Sequence, residues 1–218
     1  ISNSLQPDLV ALTGDYVVNS PRYIAPVMEE LAHLSPRFGS VAVLGNHDWW
    51  EGGPQVQQAL REAGIRVIDN SRCCLTCDGR IVTENEIAPD GSDCALWLAG
   101  VGDCWTDCVD LEKALSGLPD GAPRLVLSHN PEVAEDPRLI TSRWRIDLML
   151  SGHTHGGQVR PHILGEAAVK SRRRLRYAHG LVQGPVCRVY ISRGIGTAGV
   201  PLRLNMPPEI ASFRFRSA

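Results

Sequence analysis

The chain has 218 residues, of which 43% are hydrophobic and 21% charged, and its net charge is −2. That length can bury a sizeable core in one domain, and near-neutrality removes any global pull toward nucleic acid or an anionic membrane. No run of 18 apolar residues occurs, so no segment of this sequence reads as a membrane span.

In chain order, residues 1–6 read as the end of a helix stopped by Pro7. The apolar run 9–12 predicts a strand buried on both faces, ending in Thr13-Gly14-Asp15. Residues 22–34 set Ile24, Val27, Met28, Leu31 and Leu34 three or four apart, a helix with one apolar face. The run 41–44 predicts a second buried strand and leads into Gly45-Asn46-His47-Asp48. Trp49 and Trp50 follow, read as packing residues ahead of the walls of a groove. Residues 54–63, with Pro54 early and Gly64 just past the end, predict a helix.

Strands are expected over 65–68, 80–83 and 95–101. A helix is expected over 107–118, capped by Asp107 with acidic residues in its first turn. Asp103, just past a strand end, is read as structural, with a supporting place behind a site as the other reading. The run 125–127 leads into Ser128-His129-Asn130. The run 146–150, apolar apart from Asp147, leads into Ser151-Gly152-His153-Thr154-His155-Gly156-Gly157-Gln158. Lys170 to Arg176 is a basic run, read as a solvated loop rather than an anion-attracting surface. Strands over 186–192 and 210–215 close the chain, the last alternating and so wet on one face. Helices and strands interleave early and strands dominate late. The fold class is therefore α/β, two packed mixed β-sheets flanked by helices.

Six of the seven cysteines, Cys73, Cys74, Cys77, Cys94, Cys104 and Cys108, crowd the middle third. Structural zinc is disfavoured because Cys73-Cys74-x-x-Cys77 has no second Cys-x-x-Cys to complete four ligands. Free thiols are expected ahead of one or more disulfides.

Four apolar runs thus each stop at Gly, Ser or Thr-Gly and then present Asp15, Asn46-His47-Asp48, His129, or His153 with His155. Layered α/β folds collect ligands beyond the carboxyl ends of such strands, and glycines let a backbone approach an ion closely. One such pair is ordinary in a loop; four at four strand ends are not explained by core packing. Mixed carboxylate, amide and imidazole donors suit zinc, manganese or iron. His33, His162 and His179 lack this setting and read as structural or solvated.

The ordered set Gly14-Asp15, Gly45-Asn46-His47-Asp48, His129 and Gly152-His153-Thr154-His155 resembles the calcineurin-like metallophosphoesterase superfamily. The longer phrases 9–15, 127–131, 151–160 and 192–196, with Pro207-Pro208-Glu209-Ile210, resemble its YkuE/YaeI-like branch. The superfamily pattern opens with Asp-x-His on a first strand. None precedes Asp15 here and the chain starts at Ile1, so the reading is a single domain over 1–218 without that strand.

The resemblance implies a hydrolase of phosphodiester or pyrophosphate bonds that uses two divalent ions (Mn, Zn, Fe or Mg) and a metal-bound hydroxide for in-line attack. Asp15 would bridge the ions. Asn46, His129 and His153 would complete the second site, and His155 would serve the first. His47 would steady the phosphoryl charge or protonate the leaving group, with Asp48 holding its other ring nitrogen. The implied substrates are small or lipid-linked, with peripheral membrane contact and no nucleic acid. The resemblance allows a place at the cell envelope and leaves localisation open. A phosphomonoesterase, or a metal-impaired relative acting as a binding module, are the alternatives.

Overall fold

The computed structural model describes residues 1–87, 91–159 and 176–216. Two sheets carry the molecule. The smaller holds β1 (Leu9–Leu12), β2 (Gly39–Ala42) and β3 (Ile65–Val67) in that order, all parallel. Helix α1 (Ile24–Ala32) joins β1 to β2, and α2 (Asn46–Glu62) joins β2 to β3.

The larger sheet contains β4 (Ser71–Thr76), β5 (Ile81–Val82), β6 (Cys94–Val101), β7 (Arg124–Ser128), β8 (Leu148–Ser151), β9 (Gly180–Gln183) and β10 (Arg188–Ile191). Its spatial order is β5-β4-β6-β7-β8-β10-β9. The centre, from β6 through β7 and β8 to β10, is parallel, while β4, β5 and β9 pair antiparallel. The mixed character expected of both sheets thus belongs to the larger one.

Side-chain alternation sets the layers. Val41 and Val43 from the small sheet meet Leu98, Leu125, Leu127, Leu148 and Leu150 from the large one, forming the core between the sheets. Ala42 and Leu44 point the other way and pack with Met28, Val56 and Leu60 of α1 and α2. On the far face of the large sheet, Ala99, Val101, Val126 and Met149 pack with Leu111 and Leu115 of α3 (Leu111–Leu115) and Leu139 of α4 (Pro137–Thr141). Helices, sheet, sheet and helices follow in that order. At Gly100 this packing is so close that an added Cβ would lie 2.4 Å from the Ile68 carbonyl oxygen.

Several expectations are corrected. The turn expected after β2 is the first turn of α2, which starts at Asn46 and kinks at Gly52 (φ 124°) ahead of Pro54. The third helix is shorter than the sequence suggested and is capped by Asp110, whose carboxylate accepts the Lys113 N–H, rather than by Asp107. Residues 210–215 are irregular rather than a strand; Phe213 packs edge-on to Tyr190, which uses their apolar faces without a ladder. Strand β4 lay hidden because its arginine and paired cysteines break the apolar pattern. The antiparallel register of β4 on β6 brings Cys74 and Cys94 to a Cα separation of 5.8 Å, and they form a disulfide. Cys73, Cys77, Cys104, Cys108 and Cys187 are free. Residues 170–175 of the basic run, and His162, lie outside the described residues. Among the described residues no helix is long and apolar enough to cross a membrane.

Candidate metal centre

The four strand-end clusters meet where the two sheets present their carboxyl edges. Asp15 follows β1 and Asn46 follows β2, neighbours in the small sheet. His129 follows β7 and His153 follows β8, neighbours in the large one. Asp15 Oδ2 lies 3.2 Å from His129 Nε2, which lies 3.1 Å from His153 Nδ1, which in turn lies 3.0 Å from Asn46 Oδ1. The ligand atoms of Asp15, His129 and His153 all fall within 4.8 Å of one another.

Close backbone approach makes this possible. Gly14 holds φ 93°, and a Cβ there would sit 2.7 Å from His129 Nδ1. At Gly45 a Cβ would lie 2.2 Å from Asp15 Oδ1 and 2.6 Å from His129 Cε1. Asp15 (φ 60°), His153 (φ 65°) and His155 (φ 51°) all hold left-handed backbone. Such conformations cost about 1–3 kcal/mol each for residues with side chains, and they concentrate where a side chain must be aimed.

The chemistry of the donor set tests whether a cation belongs here. His129 Nδ1 lies 2.7 Å from the Thr13 carbonyl oxygen, which can only accept, so in the neutral ring that nitrogen carries the proton and Nε2 turns its electron pair inward. Asp15 Oδ2, Asn46 Oδ1, His129 Nε2 and His153 Nδ1, the last in the tautomer protonated at Nε2, bring four electron-pair donors together in a largely buried space. They repel one another unless a positive charge lies among them. Two oxygens and two imidazole nitrogens fit a divalent ion, and a backbone carbonyl behind a ligating histidine is the usual way to fix its tautomer. His155 adds a buried Nδ1 with no hydrogen-bond partner among the described residues.

The proton affinities show the same demand for positive charge, which a proton on His129 Nε2 meets when an ion does not. Burial alone would lower His129, but the hydrogen bond and charge of Asp15 outweigh it and hold the imidazole above its usual range. Burial alone would raise Asp15, and its bond to His129 overrides that, so the carboxyl stays below the usual range. Burial and then the neighbouring His129 charge push His153 down to about 4. Burial also lowers His155. Neutral His153 and His155 keep electron pairs available at neutral pH.

His47 is half-buried in the first turn of α2, and its backbone N–H donates to Asp15 Oδ1 at 3.0 Å. Its ring meets Trp50 edge-on at 4.8 Å between centroids. The contact expected between Asp48 and this imidazole is absent from the hydrogen bonds of the described residues. Asp48 is fully buried, and its two oxygens accept the N–H groups of Gly45, Asp15, Tyr16 and Val17 at 2.8–3.2 Å. The helix start and the Asp15 loop supply donors that would otherwise be orphaned, and they claim this carboxylate before a side chain can.

Asp103 is likewise a loop brace, with Oδ1 accepting Trp105 N–H, Thr106 N–H and the Thr106 hydroxyl. Trp49 packs inward among the α1 and α2 residues. The sequence reading missed Trp105, whose indole meets His153 edge-on at 4.5 Å. It also missed Arg203, which donates to the carbonyls of Gly196, Arg193 and, at 3.4 Å, His155. Arg203 carries no spacing or strand-end signal, whereas Trp105 lies just past the end of β6 but has no metal-competent side chain to mark it. Neither His33 nor His179 enters the cluster.

A family model described as calcineurin-like phosphoesterase matches residues 1–157. The chain belongs to that family, and it is a metallophosphoesterase, an enzyme that hydrolyses phosphoric esters. It is 32% identical over 218 residues to the uncharacterized metallophosphoesterase YkuE of Bacillus subtilis (strain 168), covering 99% of this chain and 70% of that one. It is 34% identical over 215 residues to the phosphodiesterase YaeI of Escherichia coli (strain K12), covering 94% and 69%. A transmembrane protein with metallophosphoesterase domain from Danio rerio is 28% identical over 225 residues, covering 99% of this chain and 47% of its own length.

Proposed function

We propose that this chain, as one metallophosphoesterase domain over residues 1–218, hydrolyses phosphodiester or pyrophosphate bonds at a centre of two divalent ions. The observation that carries the reading is the inward convergence of Asp15 Oδ2, Asn46 Oδ1, His129 Nε2 and His153 Nδ1. Asp15 would contribute to both sites, Asn46, His129 and His153 would hold one ion, and His155 would contribute to holding the other. Mn, Zn, Fe and Mg are the candidate metals. Bound ions supply positive charge to the phosphoryl oxygens and a nucleophilic water at neutral pH.

The rest belongs to the chain. The His47 N–H orients Asp15. The His47 imidazole, beside the cluster and without a hydrogen-bond partner among the described residues, stabilises charge on phosphorus or passes a proton to the leaving oxygen. Asp48 contributes by holding the Asp15 loop and the Gly45 backbone at the start of α2 rather than by gripping the ring. Substrates are small or lipid-linked esters, the latter reached by peripheral membrane contact.

The test is turnover of bis(4-nitrophenyl) phosphate against 4-nitrophenyl phosphate, with metal content measured on the same preparation. Diester cleavage that exceeds monoester cleavage, is lost on chelation and is restored by Mn or Zn is the expected result. Preference for the monoester would favour a phosphomonoesterase. Tight metal binding with no turnover of either ester would favour a binding module.

A further inference from the structure

We propose that Trp50 and Trp105 form an aromatic clamp that selects phosphodiesters carrying a planar aromatic arm. The proposal deepens the reading above and rests on it for the place of the phosphoryl group.

Trp50 is 57% exposed and Trp105 51% exposed. Each is held edge-on to an imidazole of the centre, Trp50 at 83° to His47 and Trp105 at 79° to His153. A ring met at right angles by one small imidazole keeps at least one face uncovered. Two large π surfaces, from α2 and from the loop after β6, thus stand open beside the same cluster.

The exposure is built in. In the Trp49-Trp50 pair, the first indole turns inward over Gly53, where an added Cβ would lie 2.2 Å from Trp49 Cε3, while the second turns out beside His47. The Trp105 loop is tied at its base by two fully buried side chains. Asp103 Oδ1 accepts the Trp105 N–H at 2.8 Å, and Asn130 Oδ1 accepts the Cys104 N–H at 2.9 Å. Asn130 directly follows His129, so one short segment positions both an imidazole of the centre and the loop that presents the indole.

The occupant follows from what the centre leaves unmet. Metal ions and His47 answer the charge on phosphorus, but a diester also brings organic groups on its ester oxygens. Indole faces reward flat, polarisable arms over saturated ones of equal size, because stacking adds to burial of area. Aryl groups and nucleobases share that chemistry.

Calorimetric dissociation constants on the whole chain loaded with Mn(II) test the clamp, using diphenyl phosphate, the methyl diester of thymidine 5′-phosphate, and dicyclohexyl phosphate as the saturated match. The wild type is expected to prefer the aromatic diesters about tenfold. Trp50→Ala and Trp105→Ala should each erode that preference at unchanged Mn content, while Trp105→Phe keeps most of it. Preference for one aromatic probe over the other supports the clamp and names the source of the arm. Equal affinity for diphenyl and dicyclohexyl phosphate, a preference that survives both alanine variants, or failure to bind any diester would each overturn it. Aromatic preference without turnover counts against the hydrolytic reading and leaves the clamp standing; turnover without preference does the reverse.

Discussion

At the scale of single residues, Asn46, His47 and Asp48 divide three tasks among adjacent positions. Asn46 turns its amide oxygen toward His153, His47 leaves its ring beside the cluster, and Asp48 points inward to four backbone N–H groups. Each task predicts a different phenotype. His47→Ala should reduce turnover by about 10²–10⁴-fold while metal content stays near wild type, since it removes an electrostatic or acid group and no ligand. Asn46→Ala should instead lower occupancy of one ion. Metal analysis beside kinetics separates the two, and the reverse pattern would exchange ligand and catalyst. Asp48→Ala strips a buried acceptor from four donors, each left unpaired at about 1–3 kcal/mol. We expect a loss of at least about 3 kcal/mol in urea unfolding, with the metal site failing alongside. A variant as stable as wild type but slow in turnover would return Asp48 to the side of His47.

At the scale of elements, the joints between strands and helices are where charge has been buried. Asp69, just past β3, accepts the Leu44 N–H beyond β2 at 3.0 Å and lies near the Gln57 amide of α2. Burial, and then the charge of Asp107, push its carboxyl from 3.8 up to about 7. A carboxyl raised on folding binds its proton more tightly in the native state, so its contribution to stability is full below the unfolded value and fades as pH rises through the folded one. Stability should therefore decline across the interval from about 4 to about 7, by roughly 2–4 kcal/mol from this group. Asp69→Asn should remove that decline, being more stable than wild type at alkaline pH and equal to it in acid. Urea midpoints for both proteins across the interval are the check; parallel curves would show that Asp69 is not the titrating joint. The same element-scale logic explains α2. Its amino terminus was legible as a polar motif but not as a helix, because Gly52, Gly53 and Pro54 interrupt the helical pattern that packing on Met28 and the small sheet restores.

At the scale of the whole molecule, the centre is a joint between sheets, with Asp15 and Asn46 from the small sheet and His129, His153 and His155 from the large one. An ion bound there links halves that otherwise meet mainly through apolar packing, with a few hydrogen bonds such as Arg66 to the Ile81 carbonyl, so it should stabilise the fold as well as serve the chemistry. At about 100 times its dissociation constant a ligand adds roughly 2.7 kcal/mol, or about 5–10 °C in Tm for a chain of this size. Thermal unfolding with and without EDTA, followed by Mn replacement, measures it; a Tm indifferent to chelation would mean that the sheets hold without the ion. The sequence by itself determined the α/β class and the buried strands. It also marked Asp15, Asn46, His47, Asp48, His129, His153 and His155 as the residues to watch, because short apolar runs and the glycines after them are local signals. Only the tertiary structure decided the rest. It bonded Cys74 to Cys94, left residues 210–215 out of a strand, gave the Asp48 carboxylate to backbone donors, and brought Trp105 and Arg203 to the centre. Those outcomes depend on strand register and on which buried donors lack partners, and both are fixed only when segments distant in the chain pack together.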